Sequence, residues 1–260
     1  MKKGIYILPS IFTLGNIFCG FYAIISALNH HFQAASIAIL VAGIFDALDG
    51  RVARLTNSCT RFGVEFDSLA DLISFGMAPG VLIYMWALRP FGRIGWLASF
   101  LFVVCGALRL ARFNCQVTTS ESKSFTGLPI PAAAGTLASF IILSQLLAVP
   151  LDLKPVVIAG LAYVLAFLMV STIRYRSLKQ INLKEKKPFH ALVMIMLLLL
   201  VVAAEPRVMF FLIFLGYVVS GPAEILLVHA KGLNPHAVAK RYRSRIPKGE
   251  KGEQRQNHHL

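Results

Sequence analysis

The sequence predicts an all-α polytopic membrane protein with about eight transmembrane helices and both termini in the cytoplasm. Hydrophobic residues make up 57% of the 260-residue chain, which contains 19 phenylalanines, and a soluble globular domain rarely has such a composition. Apolar stretches of about 17–25 residues recur, and this length is needed to cross a bilayer core of about 30 Å. We expect one membrane domain over residues 1–230 and a basic cytoplasmic tail over residues 231–260.

Eight apolar stretches account for the predicted helices. In chain order they cover approximately residues 11–28, 33–55, 63–87, 93–113, 129–148, 154–174, 189–204 and 207–229. The first stretch follows two lysines, as the apolar region of a signal peptide would. Seven further spans, and the polar Thr13 and Asn16 inside the first, favour a helix that is retained in the mature protein.

Positive charge predicts the orientation of these helices. With eight spans and a cytoplasmic N-terminus, all but four of the 26 Lys and Arg residues fall in cytoplasmic loops or ends. The exceptions are Arg89, Arg93, Lys154 and Arg207. Cytoplasmic loops of membrane proteins carry such an excess of positive charge. The net charge of +14 therefore indicates a multi-pass protein of the cell (inner) membrane that contacts anionic lipid headgroups, and not nucleic acid.

Four aspartates lie inside the second and third apolar stretches. Asp46 and Asp49 belong to the second and Asp67 and Asp71 to the third, at the ends that this topology places near the cytoplasm. An ionised carboxylate in hydrocarbon costs roughly 2.5–3.5 kcal/mol even on lenient insertion scales, so such residues face a partner or a wet cavity. Because four nearby carboxylates also repel one another, they need a positive partner, and divalent cations are the simplest candidate.

The spacing gives each of these two helices one polar face. The second helix groups two aspartates with two small residues and an arginine: Asp46, Asp49, Gly50, Ala53 and Arg54. The third carries a stripe of i, i+3 and i+4 neighbours: Gly63, Asp67, Asp71 and Ser74. Small residues let a bulky ligand approach the backbone, and the planar fork of arginine suits phosphate oxygens. The pattern indicates a diphosphate bridged by one or two Mg²⁺ or Mn²⁺ ions.

A fixed pattern of eight residues runs through this segment. It reads Asp46-x2-Asp49-Gly50-x2-Ala53-Arg54, then eight residues, then Gly63-x3-Asp67-x3-Asp71. The string resembles, position for position, the signature of the CDP-alcohol phosphotransferase family. Four further segments are similar to the bacterial and archaeal phosphatidylserine synthase branch of that family, namely residues 8–16, 74–79, 108–114 and 125–131. The resemblance covers the chain to about residue 135.

The resemblance implies a role for each signature position. Four residues would bind two metal ions, Mg²⁺ or Mn²⁺: Asp46, Asp49, Asp67 and Asp71. Asp71 would also be the general base. The donor, CDP-diacylglycerol, would contact Gly50, Ala53, Arg54, Thr60 and Gly63 and, on the first helix, Thr13 and Asn16. The resemblance also implies a homodimer.

The implied reaction moves the phosphatidyl group of CDP-diacylglycerol to the hydroxyl of L-serine and releases CMP towards the cytoplasm. Serine carries a carboxylate that a polyol acceptor lacks. Arg109 and Arg112 are three residues apart near the cytoplasmic end of the fourth span, and they are candidates for binding that carboxylate. The alternative is that both arginines serve only as positive residues at a cytoplasmic helix end.

Other functions share part of this pattern. The same chemistry could use glycerol phosphate or inositol phosphate as acceptor, although such phosphates call for more cations than serine does. A divalent-cation transporter could also use paired intramembrane aspartates, but it would not need the small residues and Arg54 at diphosphate spacing. The residues that would contact the lipid tails are generic apolar ones, so a diacyl and an archaeal diether donor both agree with the sequence.

Overall fold

The computed structural model describes residues 7–55, 60–119, 127–147, 153–173, 175, 196 and 205–230. Every regular element among these residues is helical, which confirms the predicted all-α class for the part described. The α-helices are α1 (Ile7–Leu28), α2 (Phe32–Leu55), α3 (Arg61–Asp71), α4 (Ala78–Ile83), α5 (Gly92–Thr119), α6 (Ile130–Leu146), α7 (Lys154–Val170) and α8 (Pro206–Ala230). Two π-helical segments (Leu72–Met77 and Tyr84–Leu88) and a 3₁₀ turn (Arg89–Phe91) join α3, α4 and α5.

Several of these helices have the length and apolar composition that crossing a membrane requires. Four stretches of the described residues meet both criteria: Ser10–Leu28, Phe32–Ala53, Phe62–Cys115 and Pro206–Ala223. Helices α6 and α7 are apolar but shorter, at 17 residues each. This architecture is that of a polytopic membrane protein. The predicted span at 189–204, apart from Met196, and the predicted tail at 231–260 lie outside the described residues.

The long stretch Phe62–Cys115 contains the two spans predicted at 63–87 and 93–113. The chain reverses at the 3₁₀ turn, where Gly92 has a φ of 54° that glycine adopts without steric cost. Helix α5 then packs back against the two π-helical segments. A side chain at Gly95 would collide with the carbonyl of Leu88, so glycine is required for this close return. One continuous helical stretch therefore forms a hairpin of two antiparallel arms.

The packing order brings the aspartate-bearing helices together. Helix α1 lies along α2, and it also packs against α3, the first π-helical segment and α4. Helix α2 packs on α6, and α5 packs on α7. Apolar side chains fill the centre, with Phe75, Phe102 and Leu137 fully buried, while Phe18 and Phe167 are among the apolar side chains exposed on the outside. An apolar exterior is what a lipid-facing surface requires.

The chain divides into two compact units, Met1–Gly221 and Pro222–Leu260. The first contains α1 to α7 and α8 as far as Gly221, and every residue of the candidate site belongs to it. In the second unit the described residues are Pro222–Ala230, which are helical.

Candidate active site

Three carboxylates from two consecutive helices meet at the centre of the site. Asp46 and Asp49 come from α2 and Asp67 from α3, and one oxygen of each lies within 4.8 Å of the others. Asp49 is only 5% exposed, and Asp46 and Asp67 are half-buried. The i, i+3 spacing on α2 and the short connection to α3 explain why residues so close in sequence converge.

This cluster has the donor set of a divalent-cation site. The oxygen Oδ1 of Asp67 is buried and makes no hydrogen bond within the described residues. A buried polar atom without a partner is costly, and here it belongs to an anion beside two further carboxylates. Carboxylate oxygens are the preferred ligands of Mg²⁺ and Mn²⁺. The three side chains therefore fit a hard divalent cation, which would offset their mutual repulsion.

Helix α1 supplies hydrogen-bond donors to two of the aspartates. The Thr13 hydroxyl donates to Oδ2 of Asp49 at 2.9 Å, and the Asn16 amide donates to Oδ1 of Asp71 at 3.4 Å. Thr13 and Asn16 are both buried. The resemblance assigned these two residues to the binding of CDP-diacylglycerol. Their hydrogen bonds also orient the carboxylates of Asp49 and Asp71. The side-chain oxygen of Asn16 is buried and makes no hydrogen bond within the described residues, so it could still accept one from a ligand.

Asp71 lies beside the three-carboxylate cluster and ends α3. It is 8% exposed, and it interacts electrostatically with the other three aspartates and, with opposite sign, with Arg109. The π-helical segment begins at the next residue, and such segments occur frequently at functional sites. Within it the Ser74 hydroxyl donates to the backbone carbonyl of Asn16 at 2.8 Å.

Gly20 makes this contact between α1 and the π-helical segment possible. A side chain at Gly20 would collide with Ser74, at both its hydroxyl and its backbone. Because the collision involves backbone atoms, a side-chain rotation could not relieve it. Glycine at position 20 thus permits the approach that joins Ser74 to Asn16, and Asn16 in turn contacts Asp71.

The residues that the resemblance assigns to CDP-diacylglycerol binding lie near the C-terminal end of α2 and the start of α3. Among the residues that the structure describes, a Cβ built on Gly50 would meet no neighbouring group within 4 Å, so this surface of α2 can receive a ligand. Thr60 caps α3 by accepting the backbone N–H of Gly63 at 3.0 Å. The Thr60 hydroxyl hydrogen can still be donated to a phosphate. Ala53 is half-buried on α2, and the Arg54 side chain lies outside the described residues.

The two candidate arginines on α5 have different surroundings. The Arg109 guanidinium interacts electrostatically with Asp71, Tyr217 and Asp46, and it lies 5.7 Å from the centre of the Phe113 ring. Arg112 instead donates from Nη1 to the backbone carbonyl of Val170, at the end of α7, at 3.4 Å. The structure therefore brings Arg109 to the aspartates and directs Arg112 towards a helix terminus.

Tyr217 on α8 carried no recognisable signal in the sequence, because it lies in an ordinary apolar stretch far along the chain. It interacts electrostatically with the Arg109 guanidinium. Asn114 belongs to the segment 108–114 that resembles the family branch, and its amide donates to Ser68 at 3.0 Å and to Glu65 at 3.2 Å. These interactions arise from tertiary packing between distant helices, and no spacing rule within one helix would have identified the partners.

Fold and site together define a polytopic membrane protein with a buried carboxylate cluster built for divalent cations. Residues 6–168 match the CDP-alcohol phosphatidyltransferase family. Because this match covers more than half of the chain, the protein belongs to that family, whose members use divalent metal ions.

Individual relatives of this chain carry the names of specific enzymes. The chain is 43% identical over 182 residues to a CDP-diacylglycerol–serine O-phosphatidyltransferase of Helicobacter pylori (strain J99), covering 69% of this chain and 77% of the relative. It is 37% identical over 173 residues to the protein of that name from Bacillus subtilis, covering 66% and 92%. It is also 47% identical over 135 residues to an archaetidylserine synthase of Methanothermobacter thermautotrophicus, covering 51% and 57%.

Proposed function

We propose that this protein transfers the phosphatidyl group of CDP-diacylglycerol to the hydroxyl of L-serine, forming phosphatidylserine and CMP. The observation that carries the proposal is the convergence of Asp46, Asp49 and Asp67 within 4.8 Å, with Asp71 and Arg109 beside them. The family match and the names of the relatives support the donor and the acceptor.

Each aspartate then has a defined role. Two divalent ions, Mg²⁺ or Mn²⁺, held by the four aspartates, would neutralise the diphosphate and stabilise charge on the leaving nucleotide. Asp71 is the general base, positioned by the Asn16 amide, and accepts the proton of the serine hydroxyl. The serine oxygen forms a bond to the lipid-side phosphorus as the bond from that phosphorus to the CMP oxygen breaks. The lipid product stays in the membrane, and CMP leaves.

The donor occupies the surface between α2 and the start of α3. We assign its nucleotide and diphosphate to Gly50, Ala53, Arg54, Thr60 and Gly63, with Thr13 and Asn16 on α1 completing that side. Within the described residues, a Cβ on Gly50 would meet no neighbouring group within 4 Å, which supports close approach of the donor to the backbone there. We assign the serine carboxylate to Arg109, because it is the α5 arginine that interacts electrostatically with Asp71.

The membrane arrangement follows from charge. We propose eight transmembrane helices within residues 1–230, a basic tail over residues 231–260 and both termini in the cytoplasm. The support is the concentration of Lys and Arg on one side of this topology. The active site then opens to the cytoplasm, where L-serine is dissolved, while the donor enters from the lipid of the cell (inner) membrane. We further propose a homodimer, as the family resemblance implies.

A CMP-release assay on the purified full-length chain tests this function. CDP-diacylglycerol is supplied with Mn²⁺ or Mg²⁺ and with L-serine, glycerol 3-phosphate or inositol phosphate, and chelated samples serve as blanks. We expect metal-dependent release of CMP with L-serine and a phosphatidylserine product. If CMP is released with a phosphorylated acceptor and not with L-serine, the substrate is that acceptor. No release with any acceptor, together with Mn²⁺ uptake into proteoliposomes, would favour a transporter.

A second donor is suggested by one relative. The similarity to an archaetidylserine synthase at 47% identity favours testing a diether-linked CDP-lipid beside the diacyl one. The site residues contact the headgroup, so the same aspartates would serve both lipids. The ratio of kcat/KM for the two donors identifies the one preferred.

A further inference from the structure

The segment that begins at Asp71 contacts Asn16 of α1 at two points. The Asn16 side-chain amide donates to Oδ1 of Asp71 at 3.4 Å, and the Asn16 backbone carbonyl accepts the Ser74 hydroxyl at 2.8 Å. Asn16 and Ser74 are fully buried, and Asp71 is 8% exposed. Because Asp71 and Ser74 are three residues apart in the chain, the two hydrogen bonds close a small ring between α1 and this segment.

The two hydrogen bonds of this ring differ in strength. Hydrogen bonds between two oxygens are most often about 2.7–2.8 Å long, so the bond from Ser74 has the preferred length. Bonds from N–H to oxygen are normally about 2.7–3.2 Å long, and the bond from Asn16 to Asp71 exceeds that range. The stronger bond therefore fixes the backbone of Asn16, and the weaker bond depends on that backbone to keep the amide within reach of the carboxylate.

Local structure on both sides permits the bond from Ser74. On α1, a Cβ at Gly20 would lie 2.7 Å from the Cα of Ser74, so only glycine leaves room for this approach. On the other side, Ser74 belongs to the π-helical segment Leu72–Met77, which begins directly after Asp71. The wider turn of a π-helix occurs mostly in single turns at functional sites. Both features place the Ser74 hydroxyl against the carbonyl of Asn16.

We propose that Ser74 is a positioning residue: its hydrogen bond to the Asn16 carbonyl keeps the Asn16 amide on Asp71 and so holds the Asp71 carboxylate in the orientation that the reaction requires. This inference rests on the proposed function, because Asp71 is the base of that reaction. A general base must lie within about 2.6–3.2 Å of the group whose proton it accepts. Loss of the Ser74 hydroxyl should therefore lower kcat and leave the binding of both substrates unchanged.

A double-mutant cycle of Ser74→Ala and Asn16→Ala tests this role. Asn16→Ala removes the amide but keeps the backbone carbonyl, so the hydrogen bond from Ser74 can still form in that variant. In the otherwise wild-type chain, Ser74→Ala should lower kcat roughly fivefold, as the loss of one hydrogen bond implies, and leave both KM values unchanged. In the Asn16→Ala background it should lower kcat by less than about twofold, because the amide that it positions is already absent.

Melting temperatures in detergent separate positioning from packing. Ser74→Ala should lower the Tm equally in both backgrounds, because the backbone acceptor is present in each. The variant should fold, since the Asn16 carbonyl can still accept the Gly20 N–H within α1, as in any α-helix. Ser139→Ala is the matched control, because Ser139 is 1% exposed on α6 and its hydroxyl donates to the Gly135 carbonyl at 2.6 Å. It should lower the Tm and leave kcat unchanged.

Two results would overturn the inference and leave Ser74 as a packing residue. The first is an equal loss of kcat in both backgrounds, and the second is an unchanged kcat for Ser74→Ala in the otherwise wild-type chain. CMP release by the wild-type protein with L-serine is measured in the same experiment. If only another acceptor releases CMP, the proposed function fails, and the same cycle run with that acceptor still tests Ser74. The two failures are therefore distinguishable.

Discussion

The two sides of the proposed active site are built in different ways. The proposed metal and donor side comes from α2 and α3, which follow each other directly in the chain, and from Thr13 and Asn16 on α1. The proposed acceptor side centres on Arg109 of α5, which is 38 positions beyond Asp71 in the chain. The first side is a local pattern, and the second exists only after the helices have packed.

This difference has a functional meaning. Every reaction that uses a CDP-linked alcohol needs the same diphosphate and metal geometry, so residues at fixed spacing on two rigid helices suit that side. Acceptors differ in size and charge, so their recognition can depend on side chains from separate helices. We therefore expect variants on the two sides to change different kinetic constants. Four experiments test this division, in order of decreasing effect.

The largest effect should follow from removing a charge in the carboxylate cluster. Asp49→Asn and Asp67→Asn should each lower CMP release to below about a thousandth, since metal ions contribute several kcal/mol of charge stabilisation. The assay is CMP release over a series of Mn²⁺ concentrations. Glu205→Gln, at an exposed carboxylate just before α8, is the control and should retain activity. Unchanged release with normal metal dependence in both cluster variants would refute the metal assignment.

Asp71→Asn should separate chemistry from binding. An amide in this position cannot accept the serine proton, and loss of a general base costs about a hundredfold or more in kcat. Binding of CDP-diacylglycerol should remain measurable in equilibrium titrations. Asn16→Ala removes the hydrogen bond to Asp71 but keeps the carboxylate, so its loss of kcat should be smaller. If Asp71→Asn abolishes donor binding as well, Asp71 acts chiefly as a metal ligand.

The acceptor side should respond through the KM for serine. Arg109→Ala should raise the KM for serine roughly ten- to hundredfold and change the KM for CDP-diacylglycerol little. Arg109→Lys should have a serine KM close to that of Arg109→Ala, because an ammonium cannot reproduce the bidentate fork of the guanidinium. Arg112→Ala is the control, since Arg112 donates to the carbonyl of Val170. We expect its serine KM to stay near the wild-type value. Equal weakening of both substrates in Arg109→Ala would assign that arginine to the phosphates instead.

The sequence was sufficient to predict that Asp46, Asp49 and Asp67 come together, because the spacing that groups them is local. A period of 3.6 residues is sufficient to place Asp46 beside Asp49 and Asp67 beside Asp71. The hydrogen bond from Thr13 to Asp49 was not predictable in this way, because it depends on how α1 packs against α2. The π-helical segment after Asp71 was not predictable either, since Leu72–Met77 has the composition of any apolar helix.

The two candidate arginines on α5 show why helical spacing alone is insufficient. Arg109 and Arg112 are three residues apart, and the sequence treats them as equivalent candidates. A 60° offset between long side chains is enough to direct one towards Asp71 and the other towards the end of α7.

The smallest expected effect, and the most direct test of the donor surface, comes from adding one methyl group to α2. Gly50→Ala places a Cβ that meets no neighbouring atom of the described residues within 4 Å outside its own helical turn, so the fold should tolerate it. Gly160→Ala on α7 is the matched control, because Gly160 is exposed and its added Cβ also meets nothing within 4 Å. Both changes replace glycine inside a helix and should stabilise the fold by up to about 1 kcal/mol.

Only the change at position 50 should affect catalysis. If the diphosphate packs against the α2 backbone, crowding of about 1 kcal/mol would raise the KM for CDP-diacylglycerol roughly fivefold and leave the KM for serine unaltered. Melting temperatures of the two variants, measured in the same detergent, should rise together. Equal donor KM values in Gly50→Ala and Gly160→Ala would mean that the donor does not approach α2 at this glycine. Since neither methyl group crowds a neighbouring side chain of the described residues, we attribute a donor-specific difference between the variants to contact with the ligand.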